Sequence, residues 1–277
     1  MLPSGNIVFL NLLVFSIGGD TMTIQTALLY FIIITAGFTV TGIVGFGGNV
    51  LALPILSLFY NLQDIVAVFA FISFINALIR VIQYIRDISW LNLFLLWAIT
   101  LPGSFLGTVI LHNLPENQLK IALGFFIIAI ATYNLTKGHF FATKDVLAKE
   151  SHIKKVMYQI LLFFGGVLQG AFVCGGPIYV IYCSHYFGHN IHKYKGMQFG
   201  VMLINSFCVF LSYVNHHCYT MHVMQLCIPA LLGVGASFLF SAYISKYINN
   251  KKLHFLIQCV LIFSGISLIL QSFSAIL

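Results

Sequence analysis

Charge is what this chain has least of. Lysine, arginine, aspartate and glutamate make up 7% of its 277 residues, against about 25% in a soluble domain, so a water-soluble fold is excluded. Only six carboxylates are present, Asp20, Asp64, Asp87, Glu116, Asp145 and Glu150. Each falls in a loop or near the end of an apolar run, so no acid stands where general acid–base chemistry or a buried proton relay would need one. The six cysteines (Cys174, Cys183, Cys208, Cys218, Cys227, Cys259) are scattered without a CxxC, which speaks against a disulfide framework or a zinc site. His216, His217, Cys218 and His222 cluster in one loop, but neither a carboxylate nor an ordered spacing joins them. No metal and no other cofactor is expected. The N-terminal stretch NIVFLNLLVFSIGG lacks the Lys or Arg of a signal peptide, and its apolar core is too short to span. Residues 1–23 are read as an extension, with Met22 a second candidate for the natural start.

Apolar sequence is abundant: 60% of residues are hydrophobic and the mean hydropathy is +1.00. Runs at 66–85, 91–111, 118–136, 197–214, 223–244 and 253–273 are each long enough to cross a bilayer, which takes on the order of 20 residues. Segments 24–59 and 156–187 differ. They are too long for one straight helix and are interrupted by GFGG (Gly45 to Gly48) and CGGP (Cys174 to Pro177). Non-helical backbone at membrane depth is tolerated only where protein or a water-filled cavity satisfies it. Both breaks should therefore face the protein interior.

The breaks belong to an internal repeat. Gly37, Gly42, Gly47 and Gly48 recur as Gly165, Gly170, Gly175 and Gly176, 128 residues on. Ile75-Asn76-Ala77 matches Ile204-Asn205-Ser206 at 129, and Ser104-Phe105-Leu106 matches Ser237-Phe238-Leu239 at 133. If each broken segment crossed once, the thirteen Lys and Arg residues would divide 7 to 6 between the two sides. If each is re-entrant, with no net crossing, the division is 12 to 1, with Lys120 alone opposed. The positive-inside rule selects the second arrangement, with three crossings per half. The expected fold is all-α and polytopic: two inverted repeats, each with one broken, re-entrant glycine-rich segment and three spanning helices. The first repeat covers 24–136, a charged cytoplasmic linker 137–155, and the second repeat 156–277. Both termini lie outside a bacterial cytoplasmic (inner) membrane.

The segment TGIVGFGGNVLALPIL, its echo QGAFVCGGPIYVIY and the two-half layout resemble the TauE/SafE family, the sulfite exporter family, from residue 24 onward. Asn49 stands where that family usually places a third glycine, and Pro54 matches its proline. The resemblance implies export of a small sulfur-containing anion, sulfite or an organosulfonate, across the cytoplasmic membrane.

The residues support such a mechanism without the resemblance. A helix restarting near Asn49 or Pro177 presents unpaired N–H groups and the positive end of its dipole, and glycines let backbone approach a ligand closely. Gly45, Gly47, Gly48, Asn49, Gly175, Gly176 and Pro177 are therefore candidate anion contacts. Pro177 suits a first helical position. Close helix packing through small residues is the competing reading of the glycines. Ser73, Asn76, Arg80 and Gln83 share one helix face, as do Gln198, Asn205 and Ser212. Asn76 and Asn205 coincide under the repeat and complete the candidate set with Arg80. The asparagines are either oxyanion donors or interhelical glue, and Arg80 either attracts substrate or snorkels to the headgroups. Partners are the bilayer and a small anion; no nucleic acid is expected. An inside-negative potential drives an anion outward, so facilitated efflux is favoured over proton antiport. His185, His189 and His192, near the inner end of the second break, are a further set of proton or anion contacts, or simply a basic loop. The rivals are import or facilitation of another small anion, an intramembrane sulfur-handling enzyme using Cys174 as nucleophile, and a purely structural scaffold.

Overall fold

The computed structural model describes residues 14–15, 22–137, 152–188, 190–245 and 250–274. Most of the N-terminal extension, most of the linker and His189 lie outside the described residues. Among the described residues ten α-helices follow a short antiparallel ribbon, Val14–Phe15 paired with Met22–Thr23. They are α1 Ile24–Val44, α2 Gly48–Leu56, α3 Leu62–Tyr84, α4 Trp90–Asn113, α5 Glu116–Lys137, α6 His152–Phe172, α7 Gly176–Phe187, α8 Ile191–Asn215, α9 Met221–Ile244 and α10 Asn250–Ser274. The order is the same in both halves: long helix, break, short helix, then three long helices.

All six expected spans are helical, as α3, α4, α5, α8, α9 and α10. Among the described residues, length and composition would let α1, α3, α4, α6, α8 and α9 cross a membrane, whereas α5 is not in that set and α10 contributes the shorter apolar stretch Gln258–Ser272. Helices α1 and α6 are nonetheless each doubled back by a short partner. Tyr60, just past α2, packs its ring 5.2 Å from that of Tyr30 and donates to Thr26 Oγ1 at 3.3 Å, near the start of α1. In the second half Tyr158, near the start of α6, meets Tyr182, His185 and Tyr186 toward the end of α7. Each broken segment is thus a helical hairpin whose two ends lie together.

The halves pack with a common logic. The equivalent helices α3 and α8 run antiparallel, Tyr84 lying against His192 and Phe199 while Phe74 lies against Phe207 and Phe210. The equivalents α5 and α10 also run antiparallel, Gly124 facing Ile269 and Gly265 facing Ile128. Across the halves α4 packs along α6 as α9 packs along α1. Local signals agree, because Asn61 caps α3 through Gln63 N and Asn190 caps α8 through His192 N and Lys193 N.

Polarity is inverted relative to a soluble protein. Leu91 and Leu239 are 77% exposed on the perimeter, whereas Ser73, Asn76, Gln169, Gln198, Asn205 and Ser206 are buried. An apolar outside and a hydrogen-bonded polar inside suit a lipid surround.

Candidate functional site

The four doubled glycines divide into three jobs, the same in both halves. Gly37 and Gly165 close the hairpins. A Cβ on Gly37 would lie 2.8 Å from Gly48 O, and one on Gly165 would lie 2.8 Å from Ile178 Cγ2. Gly42 and Gly170 let the halves cross, since added Cβ atoms would strike Ser241 on α9 and Ser104 O on α4. Small-residue packing is therefore correct for these four. The remaining pairs, Gly47–Gly48 and Gly175–Gly176, form the breaks.

In the first break Gly45 and Gly47 take φ of 97° and 107°, a region that a Cβ makes costly. The second break solves the problem differently. Gly175 is in the ordinary helical region, and the residue with positive φ is Val173, at 55°. A β-branched residue there is strained. Its carbonyl is held by Asn49, whose Nδ2 donates to Val173 O at 2.6 Å and to Ser73 Oγ at 2.8 Å. One side chain from the first break thus clamps the second.

Each short helix is also capped from its own long helix. Gly48 N donates to Thr41 Oγ1 at 2.7 Å, and Gly175 N donates to Gln169 Oε1 at 2.9 Å. Thr41 and Gln169 are 128 apart and each directly precedes a doubled glycine. That coincidence was the available signal for two residues that sequence reasoning passed over. Gln169 Nε2 reaches on to Ser206 Oγ at 3.0 Å.

The tips of the two hairpins meet near the middle of α3 and α8 and line a cavity of about 20 Å³, room for about one water. Gly47, Gly48, Asn49, Asn76, Gly176 and Pro177 line it, with Thr41, Val50, Ser73, Cys174 and apolar neighbours. In α2 the amide of Gly48 is taken by Thr41 and that of Leu51 by Gly47 O. Asn49 and Val50 lie between, at positions that helix geometry leaves without a backbone acceptor. In α7 Pro177 has no N–H and Ile178 N donates to Gly175 O, so Gly176 offers the one comparable amide. Helix α7 begins at Gly176, which places Pro177 second rather than first. Asn76 accepts from Arg80 Nε through Oδ1 at 3.3 Å, which leaves its NH₂ as the donor end.

Four expected contacts are elsewhere. Gly45 packs beside Gln198, whose Nε2 donates to Gly45 O at 2.7 Å. Gly175 has its amide spent on Gln169. Asn205 is fully engaged as glue: Nδ2 donates to Thr100 Oγ1 and Val201 O, and Oδ1 accepts from Ser104 Oγ. The repeat equates Asn205 with Asn76, but only Asn76 reaches the cavity. Arg80 does not snorkel; it is 5% exposed, with its guanidinium carbon 4.6 Å from the Phe238 ring centre and 5.3 Å from that of Phe199. It stands one turn behind Asn76, off the cavity wall.

Cys174 is buried and its amide donates to Leu168 O. Among the described residues no three His, Cys, Asp or Glu side chains are grouped for metal binding.

A lipid-compatible helical bundle, built from two alike halves whose broken hairpins meet in its interior, defines a multi-pass membrane protein. The chain belongs to the sulfite exporter TauE/SafE family, whose profile matches residues 29–268, and it is accordingly a membrane transporter. Comparison with curated proteins and with solved structures gives no match.

Proposed function

We propose that the protein carries a small sulfur oxyanion, sulfite or an organosulfonate, outward across the cytoplasmic membrane. The observation that carries this reading is the convergence of both short-helix N-termini on one cavity. The amides of Asn49, Val50 and Gly176 and the Asn76 side chain supply uncharged donors there, aided by the helix dipoles. A cavity of about 20 Å³ is smaller than a four-atom oxyanion, so in this reading the hairpin tips part for passage.

Orientation follows from charge. Arg86, Lys137, Lys154, Lys155, Lys193 and Lys195 flank the end where α3 finishes, whereas Lys120 stands at the other end, paired with Glu116 at 2.9 Å. The basic end is assigned to the cytoplasm, with both termini outside. An inside-negative potential then favours efflux by about 2.3 kcal/mol per charge per 100 mV. Asp64, Asp87 and Glu116 line no part of the cavity, which favours potential-driven efflux without obligate proton exchange.

The test is sulfite flux in proteoliposomes under separately clamped potential and pH gradients. Flux that follows potential at fixed pH supports the reading, and flux that follows only the pH gradient contradicts it. Ethanesulfonate and acetate in the same vesicles decide between sulfur anions and other small acids.

A further inference from the structure

A groove of about 460 Å³ opens on the perimeter of the bundle, at the end where α3 begins. Its walls are Phe71 of α3, Phe210 and Val214 of α8, Tyr219 of the following turn, and Ile228 and Leu231 of α9, with apolar neighbours. The floor is fixed before anything enters, because the Phe210 ring lies 5.8 Å from that of Phe71 and 5.3 Å from that of Tyr219. The Tyr219 hydroxyl is spent on Ala67 O at 2.9 Å. No wall residue carries a charge, so the groove offers nothing to a transported anion.

Its surroundings select the occupant. Val214, Ile228 and Leu231 are exposed on a surface that meets lipid, and an apolar hollow there is filled by hydrocarbon rather than water. A cavity of about 150 Å³ holds one benzene, so at the same ratio this groove takes about eighteen carbons, one acyl chain. The mouth is polar. His216 and His217, both exposed, stand between the wall residues Val214 and Tyr219, in a tight turn where His217 N donates to Val214 O at 3.1 Å and Cys218 N to Tyr213 O at 3.0 Å. Residues 215–222 include three histidines and no carboxylate. Imidazole N–H groups donate to phosphate oxygens, and Tyr219 marks the headgroup level where such oxygens lie.

We propose that the groove binds one phospholipid of that leaflet, an acyl chain lying along Phe210, Ile228 and Leu231 and the phosphodiester resting on His216 and His217. The site goes beyond the transport reading and does not depend on it. Phe71 belongs to the first half and the other walls to the second, so the chain wedges the two halves together. It also touches α3, the helix that brings Ser73 and Asn76 to the midplane cavity.

The experiment is native mass spectrometry of the purified full-length protein titrated with phosphatidylglycerol, which counts bound lipids directly. The wild type is expected to hold one lipid tightly. Ile228→Trp fills the groove and weakens that binding at least tenfold, whereas Leu232→Trp, equally exposed at 63% but outside the wall, leaves it unchanged. His216→Ala combined with His217→Gly, which suits the φ of 54° at that position, weakens phosphatidylglycerol binding at least fivefold but not that of diacylglycerol, which has no phosphate. The proposal is overturned if the two tryptophan variants bind alike, if the histidine variant binds as the wild type does, or if inorganic phosphate displaces the lipid. It is equally overturned if the wild type is a dimer that Ile228→Trp splits, because a second copy would then fill the groove. None of these readouts involves sulfite, so the transport reading stands or falls on flux alone.

Discussion

Replacing Asn49 separates structural from electrostatic contributions at the cavity. Its NH₂ makes two buried hydrogen bonds, at 2.6 Å to Val173 O and 2.8 Å to Ser73 Oγ. In Asn49→Ala each lost bond is worth about 1 kcal/mol net, and an orphaned buried carbonyl raises the total to about 2–4 kcal/mol. Asn49→Asp keeps the shape but turns a carboxylate toward the Val173 carbonyl and toward any bound anion. Two like charges about 4 Å apart at an effective dielectric near 20 repel by about 4 kcal/mol, equivalent to about a thousandfold in affinity. Thermal unfolding in detergent should therefore show both variants destabilised. Sulfite flux at subsaturating concentration should fall modestly in Asn49→Ala and by two to three orders of magnitude in Asn49→Asp. An Asn49→Asp protein that carries sulfite within threefold of the wild type would refute the reasoning, because no anion could then be passing near that side chain.

Three further outcomes are expected. Gly170→Ala forces α6 away from Ser104 O on α4 and should lower stability by about 1–3 kcal/mol, read as a reduced unfolding temperature. Cys174→Ser should retain more than half of the flux, since among the described residues no His, Lys, Asp or Glu lines the cavity with the thiol; complete loss would revive a thiol-based enzyme. Phe46→Cys with Gly176→Cys brings together positions whose Cβ atoms would be 3.7 Å apart, within disulfide range. Oxidation should stop flux and reductant should restore it, with ethanesulfonate as the carried anion because free sulfite cleaves disulfides.

Much of the architecture was legible in the sequence because membrane depth imposes long, simple signals. Apolar runs marked α3, α4, α5, α8, α9 and α10, and the doubled glycines marked both hairpins. What the glycines do was less legible, since close packing at Gly42 and Gly170 and chain reversal at Gly47 and Gly48 call for the same residue. Sequence equivalence did not carry over to surroundings at the asparagines: Asn76 and Asn205 coincide under the repeat, yet Ser104 and Thr100 absorb Asn205 while Asn76 lines the cavity. The clamp from Asn49 to Val173 was not readable at all. It joins residues 124 apart through a carbonyl exposed only because a valine takes a left-handed turn.

The central claim is that a sulfur oxyanion rests between the two opened helices, and crystals of the Cys174→Ser protein grown with selenite, a heavier analogue of sulfite, test it most directly. The account predicts an anomalous peak within hydrogen-bond reach of the amides of Asn49, Val50 and Gly176 and of Asn76 Nδ2, with the hairpin tips moved apart. Selenite bound elsewhere in the protein, while the cavity stays closed and Asn49 remains on Val173 O, would contradict it.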